Sequence, residues 1–213
     1  MWSDISFIWQ TAFKEAWEAF CAGSTPIGAV LCDKAGSVIL HDRNRNNEPQ
    51  TLNRRMSHAE TNILRQLDTR RFDAKSLTLY TTMEPCPMCM GTILMTNIKK
   101  VRYAAKDSYC GMVHLLKCDP YYSQKNVSCE FEGGEAEKFQ ITIQAYYELK
   151  HIEQGSSSAV FDKFSEHCPD AAKAAKQLYA DKRLDKAAES KADISEVYDH
   201  VMNVLEKMLE ENA

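Results

Sequence analysis

Two short segments constrain this chain more than any other part of its sequence. One is PCPMC at residues 85–89, and the other is HAE at residues 58–60. Two cysteines three positions apart at the start of a helix present both sulfur atoms on one face. A histidine from a second helix adds a third ligand, and three protein ligands leave a tetrahedral zinc ion one open position, as in catalytic sites. The fold must therefore bring these two segments together.

The residue types suit this chemistry, although each also has a simpler explanation. Glu60 lies two positions after His58, and because such residues do not share a face of a regular helix, we expect both at the helix entrance. At a helix N-terminus, Cys86 and Cys89 would have lowered pKa values and bind metal as thiolates. Alternatively, Ser57 and Glu60 fit a capping box, and the cysteine pair alone fits a redox pair or half of a zinc knuckle.

Composition and charge narrow the class of protein. The 213 residues are enough for one good-sized domain, or for one domain with an appendage. No apolar run approaches the roughly 18 residues that a membrane span needs. The eight cysteines show no disulfide-framework spacing and no signal peptide is visible, so we expect reduced thiols in the cytoplasm. Residues 1–151 have a net charge of +1 and residues 152–213 one of −5, which is not the basic excess typical of nucleic-acid-binding proteins.

The hydrophobic pattern predicts helices that alternate with strands after an opening hairpin. Helices are predicted at 3–22, from Ser57 onward, at 86–96 and at 135–154, and strands at 27–32, 37–41, 77–82, 100–105 and 127–132. A polar loop is expected at 43–56, and a longer loop with one helical turn at 106–126. This order of elements favours an α/β fold in the form of a three-layer α/β/α sandwich.

The end of the chain differs in composition from the rest. The sequence GSSS at 155–158 is typical of a linker. Residues 159–213 are rich in Ala, Lys, Glu, Asp and Leu and predict two or three amphipathic helices. Because so short a segment rarely folds alone, we expect these helices to pack on the core or on a partner. The chain is therefore divided into a domain at 1–154 and a helical C-terminal extension at 155–213.

The paired segments also carry a resemblance to a known family. H-x-E followed by P-C-x-x-C is the signature of the zinc-dependent cytidine deaminase-like superfamily. The segments 26–30, 57–61, 79–86 and 99–107, together with Asn44, resemble the branch of bacterial tRNA adenosine deaminases and guanine deaminases. The resemblance covers about 3–154 and says nothing about the extension. It implies a mixed five-stranded sheet.

The resemblance also implies roles for individual residues. His58, Cys86 and Cys89 would bind one Zn²⁺ per chain, and Glu60 would be the catalytic proton shuttle. The reaction would be hydrolysis of an exocyclic amine to a carbonyl with release of ammonia. Members of the superfamily commonly assemble as dimers or tetramers, so a homodimer or a higher homo-oligomer is expected.

Three further positions would contact the substrate if the resemblance holds. Asn44 would hydrogen-bond the base or the sugar, the Ala59 backbone N–H would hold a ring atom, and Ile27 would pack on the base. The expected substrate is a small amino-purine or amino-pyrimidine, as a nucleobase, nucleoside or nucleotide. The arginines at 43, 45, 54 and 55 could meet phosphates of RNA or of a nucleotide, or simply lie in a solvated loop.

Two other functions stay open at this point. The first is deamination of adenosine in tRNA, which the overall pattern of the branch favours and the near-neutral core and acidic extension oppose. The second is a non-catalytic interaction protein built on a deaminase core, with the extension as its binding module. The intact H-x-E and P-C-x-x-C residues argue against the second.

Overall fold

The computed structural model describes residues 1–211, with side chains through Glu210. A five-stranded sheet in the order β2-β1-β3-β4-β5 lies at its centre. The strands are β1 (Gly28–Cys32), β2 (Val38–Arg43), β3 (Thr78–Met83), β4 (Lys100–Ala105) and β5 (Ser128–Phe131). β1 is antiparallel to both β2 and β3, whereas β3, β4 and β5 are mutually parallel. The predicted hairpin and the mixed five-stranded sheet are confirmed.

Helices cover both faces of the sheet. The first six are α1 (Phe7–Cys21), α2 (Ala59–Gln66), α3 (Pro87–Met95), α4 (Leu115–Cys118), α5 (Pro120–Gln124) and α6 (Gly134–Glu153). α2 and α3 share one hydrophobic cluster with β1 and β3, and α1 and α6 belong to a second cluster. The α/β/α sandwich is confirmed.

α1 approaches the sheet closely because β1 begins with a glycine. A Cβ atom at Gly28 would lie 2.1 Å from the Ala12 carbonyl oxygen, so no larger residue fits without displacing the helix. β1 is buried along its whole length, as a strand between two layers of helices must be. This contact places the start of β1 relative to the rest of the core.

The C-terminal extension forms four helices instead of the two or three predicted. They are α7 (Ala159–His167), α8 (Pro169–Ala180), α9 (Arg183–Glu189) and α10 (Ile194–Glu211). The extra breaks occur at Lys182 and Lys191, whose φ angles are +52° and +55°. Non-glycine residues rarely adopt this left-handed conformation, and a glycine usually marks a helix end of this kind. Because both positions are lysines, no glycine indicated where these helices end.

The extension packs on the core, as expected. Its buried residues join the same hydrophobic cluster as α1 and α6. The ring of Tyr198 in α10 lies 4.6 Å from that of Phe139 in α6 and 6.1 Å from that of Phe13 in α1. The sequence GSSS therefore separates segments that share one core.

Other differences are local. The first helix begins at Phe7 instead of residue 3, after a short 3-10 turn at Trp2–Asp4. The loop at 106–126 contains two short helices, α4 and α5, instead of one turn; α5 begins where the Asp119 carboxylate accepts the backbone N–H groups of Tyr121 and Tyr122. Among the described residues, no helix is long and apolar enough to cross a membrane.

A polar contact fastens α9 to α6 and generates a prediction about stability. The Asp185 carboxylate accepts hydrogen bonds from the Tyr146 hydroxyl and the Lys150 ammonium. Partial burial opposes ionisation of Asp185, but these two donors outweigh it and lower the pKa of the carboxyl. A carboxyl whose pKa is lower in the folded state stabilises the fold above its unfolded pKa and loses that contribution as the pH falls through its folded pKa.

We therefore expect Asp185→Asn to lower the free energy of unfolding by about 1 kcal/mol at pH 7, a value reduced for partial solvent screening. The difference from wild type should be smaller at pH 3, below the ordinary pKa of an aspartate, than at pH 7. Urea denaturation at both pH values measures it. Asp181→Asn, whose carboxylate is 65% exposed, is the control; equal losses in the two variants at pH 7 would contradict the assignment.

Candidate active site

Two helix N-termini meet at one edge of the sheet. The chain leaves β3, passes Glu84 and Pro85, and begins α3 with Cys86 as the N-cap and Pro87 in the first turn. Proline suits this position because its missing N–H would have no helical partner there. α2 begins with His58 as its N-cap. The carboxyl ends of parallel strands open toward this edge, where α/β folds commonly bind ligands.

The three predicted ligands converge. The His58 Nδ1 atom lies 3.5 Å from the Sγ atoms of both Cys86 and Cys89, and all three ligand atoms lie within 4.8 Å of one another. Bonds of about 2.0–2.1 Å to nitrogen and 2.3 Å to sulfur, at tetrahedral angles, place N and S about 3.6 Å apart. One imidazole and two thiols therefore fit a tetrahedral zinc ion with a fourth position left for a non-protein ligand.

Glu60 faces this cluster. It is 3% exposed, and its Oε2 atom accepts the Cys89 thiol at 3.3 Å. Burial raises the pKa of the Glu60 carboxyl above its ordinary value. A raised pKa lies closer to neutral pH, where the carboxyl can both accept and return a proton.

The alternative interpretation of Ser57 and Glu60 as a capping box is wrong. His58, not Ser57, is the N-cap residue of α2, and its side chain makes no capping hydrogen bond. The Ser57 hydroxyl instead lies 3.3 Å from Asn62 Oδ1. The Glu60 carboxylate turns inward, where it accepts the Cys89 thiol. The placement of His58 and Glu60 at the helix entrance is confirmed.

The two thiols differ in acidity. Hydrogen bonds with Cys89 and then His58 lower the pKa of the Cys86 thiol to about 4. The same contact with Cys86, together with burial and the nearby Glu60 carboxylate, raises the pKa of Cys89. The expectation that both pKa values are lowered thus holds for Cys86 only, because the first thiolate disfavours a second negative charge beside it.

The three predicted substrate-contact residues lie at the same edge of the sheet. Because β1 runs antiparallel to β3, its first residues lie where β3 ends. Ile27, just before β1, is half-buried, and its carbonyl accepts the Asn44 N–H at 2.9 Å. Asn44 is 2% exposed and its Oδ1 accepts the Asn46 N–H at 2.9 Å, while Ala59 is the first residue of α2. Their contacts with a substrate stay predictions.

None of the predicted site residues comes from the loop after β4, which borders the cluster. The Glu84 carboxylate accepts the Val113 N–H at 3.0 Å and the Met112 N–H donates to the Pro85 carbonyl at 3.0 Å, so this loop is attached directly before Cys86. Burial, the Asp107 carboxylate and the nearby Cys86 and Glu60 raise the pKa of Cys110. The sequence feature that could have indicated a role for this loop is its position directly after a parallel strand.

Two of the four arginines proposed for phosphate contacts are already paired. Arg43 and Arg45 donate to the two oxygens of the buried Glu48 carboxylate, at 3.0 and 2.9 Å. The side chains of Arg54 and Arg55 are exposed. Only the second pair is therefore placed to meet a ligand in solvent without breaking these ion pairs.

Comparison with known proteins agrees with this geometry. The family model described as the cytidine and deoxycytidylate deaminase zinc-binding region matches residues 3–105. The chain is 35% identical over 124 residues to the tRNA-specific adenosine deaminase of Bacillus subtilis (strain 168), an alignment covering 54% of this chain and 73% of that protein. It is also 28% identical over 123 residues to a probable cytosine deaminase of Schizosaccharomyces pombe, in an alignment that covers 56% of this chain and 72% of that protein.

A solved structure shows the same fold. It comes from a study of A-to-I editing by tRNA:A34 deaminases at the wobble position of transfer RNA. It is 28% identical in sequence, covers 64% of this chain and 97% of its own, and superposes with a TM-score of 0.52.

The geometry predicts one zinc ion per chain. Metal analysis of purified protein should give about one zinc per chain, and Cys89→Ala should lose it because two ligands alone hold zinc weakly. Cys118→Ala, which changes an exposed thiol on α4, should keep its zinc. Retention of full zinc content in Cys89→Ala would contradict the ligand set, and two zinc ions per chain would reveal a second site.

Proposed function

The chain belongs to the zinc-dependent cytidine deaminase-like superfamily, in the branch of tRNA adenosine and guanine deaminases, and from this premise we propose that it deaminates a small amino-purine or amino-pyrimidine. It is a zinc-dependent hydrolytic deaminase. The nucleobase, nucleoside or nucleotide nature of the substrate is our proposal. The observation that carries it is the convergence of one histidine, two cysteines and a buried glutamate at a single edge of the sheet.

The ligand set determines how the site activates water. His58, Cys86 and Cys89 would hold a zinc ion, which would supply Lewis-acid activation of a water molecule near neutral pH. The lowered pKa of Cys86 keeps a thiolate available as a ligand, because the thiolate and not the thiol binds metal. Since His58 and Cys86 are N-cap residues, the partial positive charge of both helix N-termini favours the anionic groups gathered there.

Glu60 moves the protons. Its carboxylate accepts a proton from the attacking water and delivers it to the ring nitrogen beside the reacting carbon. The same carboxylate then takes the proton of the hydroxyl group now bonded to the ring carbon and passes it to the exocyclic nitrogen, which leaves as ammonia while the ring carbon becomes a carbonyl. Water is consumed, one carbon–oxygen bond forms and one carbon–nitrogen bond breaks. The raised pKa of Glu60 suits both transfers, because general acid–base catalysis works best near the operating pH.

Residues around the cluster would hold the ring. Asn44 is proposed to hydrogen-bond the base or the sugar, and the Ala59 N–H to hold a ring atom, since backbone N–H groups in the first turn of a helix have no helical partner. Ile27 would cover one face of the ring. All of these residues fall within 1–154, which we propose as the deaminase domain, with 155–213 as a helical extension.

A second substrate is favoured by one specific observation. Sequence identity of 35% links the chain to a relative named as a tRNA-specific adenosine deaminase. Adenosine in tRNA presents the same amidine-like carbon to the site, and the exposed Arg54 and Arg55 could meet phosphates of its backbone. We place this candidate second because Arg43 and Arg45 are paired with Glu48 and the extension is acidic.

Assembly and location are proposed on independent grounds. We propose at least a homodimer, as in other members of the superfamily, and light scattering of the purified protein would test it. All eight cysteines are free in the structure, which supports a reducing compartment such as the cytoplasm. Location of the tagged protein in an oxidising compartment would contradict this.

Removing the proton shuttle should separate metal binding from turnover. Glu60→Gln should keep its zinc and lose roughly 10²- to 10⁴-fold in kcat, the usual contribution of a positioned acid–base group. Ammonia release and metal content are measured on the same sample. Glu130→Gln, on an exposed side chain of β5, is the control, and retained turnover in Glu60→Gln would remove the assigned role.

A substrate panel tests the proposed function. Ammonia release is followed with amino-purines, amino-pyrimidines, their nucleosides and nucleotides, and tRNA. We expect at least one small substrate to react, at the same rate in an Arg54→Ser, Arg55→Ser double variant. If only tRNA reacts, and the double variant loses that activity, the second candidate replaces the first. If nothing releases ammonia, the proposed function is wrong.

A further inference from the structure

We propose that Phe164 of α7 is a positioning residue that holds the two strand ends on which the active site is built. The C-terminal extension thereby takes part in catalysis without touching the substrate. This inference rests on the proposed function and extends it, because the extension lies outside both the family match at residues 3–105 and the range of the predicted resemblance.

A small hydrophobic cluster carries the proposal. Its buried members include Met83, Ala105 and Phe164, with Phe164 only 2% exposed. Met83 is the last residue of β3 and Ala105 the last residue of β4. Ile27, the proposed cover of the base, and Val160 of α7 pack against the same cluster. A side chain of the extension thus belongs to the same apolar cluster as three segments that form the site.

A polar contact attaches the end of α7 to the same region. His167 Nε2 lies 2.8 Å from Glu137 Oε1, and that oxygen also accepts the Lys106 N–H at 3.2 Å. Lys106 is the residue directly after β4. α7 therefore shares a buried apolar cluster with the strand end through Phe164, and a hydrogen-bonded carboxylate at Glu137 connects the two.

Small movements of these strand ends reach the reacting atoms through few covalent bonds. Only Glu84 and Pro85 separate Met83 from the ligand Cys86, and the Glu84 N–H donates to the Ala105 carbonyl at 2.8 Å, joining the two strand ends. Removing the Phe164 ring leaves a cavity that the surrounding residues fill only partly. Because a displacement near 1 Å can cost on the order of 100-fold in rate, we expect the loss to appear in kcat.

The chain offers a matched control on the same helix. Phe161 is 5% exposed, but it belongs to the large cluster of α1 and α6 and lies under the Lys176 ammonium. Phe161→Ala and Phe164→Ala remove the same atoms from α7. A role limited to holding the extension on the core predicts the same result for both variants. The proposed role predicts a difference at the active site.

The experiment compares Phe161→Ala, Phe164→Ala and Phe164→Leu in the full chain. We expect kcat of Phe164→Ala to fall about 10-fold or more below that of Phe161→Ala, with KM changed less, and Phe164→Leu to recover most of the loss. As a readout independent of turnover, the visible absorption of the cobalt(II)-substituted protein should change in Phe164→Ala and not in Phe161→Ala.

The outcomes separate this inference from the proposed function. Equal kcat values and equal cobalt spectra in the two alanine variants would overturn the positioning role even if the wild type deaminates its substrate well. If the wild type releases no ammonia from any substrate, the proposed function fails, and the cobalt spectra still decide whether Phe164 shapes the metal site. If Phe164→Ala does not fold, Phe164→Leu against Phe161→Leu provides the same comparison.

Discussion

The site depends on the meeting of two helix N-termini beside the end of β3. His58 and Cys86 are the N-cap residues of α2 and α3, so their side chains project from the ends of rigid elements and not from flexible loops. Each helix packs into the same hydrophobic cluster through buried residues such as Ile63 and Ile93. Because packed interiors tolerate little movement, the 3.5 Å separations between Nδ1 and the two sulfur atoms follow from how these helices lie on the sheet.

Glu60 shows how the fold accepts an unfavourable feature at its functional centre. Burying a carboxyl at 3% exposure beside a thiol costs free energy unless the group is neutralised or hydrogen-bonded. The raised pKa of Glu60 expresses that cost. Perturbed groups of this kind are concentrated at functional sites, and here the perturbation gives the carboxyl the proton affinity that a proton shuttle requires. The stability lost at Glu60 is offset by the apolar core around it.

Local patterns predicted the strands and the convergence of the ligands well, because both depend on short periodicities and fixed spacings. β4 was predicted to the residue. The capping box failed because the same two residue types fit either a cap or an inward-facing carboxyl, and only tertiary packing beside Cys89 decides between them. The pairing of Arg43 was only partly visible in the sequence, since Glu48 lies five positions away but its second partner, Glu18, belongs to α1. The break between α8 and α9 could not be predicted, because it falls at Lys182, a lysine in the left-handed conformation.

The extension is best understood through the core that it shares. Phe13, Phe139 and Tyr198 come from three helices far apart in sequence and pack their rings together. Aromatic rings of this size bury large apolar areas, so separating α10 from α1 and α6 would expose the centre of one face of the sandwich. The linker-like composition at 155–158 therefore indicates only that the chain changes direction there. The distribution of charge also indicates that the extension packs on this core. Its acidic residues lie mainly on the exposed surface, whereas its small and aromatic residues face inward. A segment held by so much apolar contact can transmit its position to the strand ends beneath it.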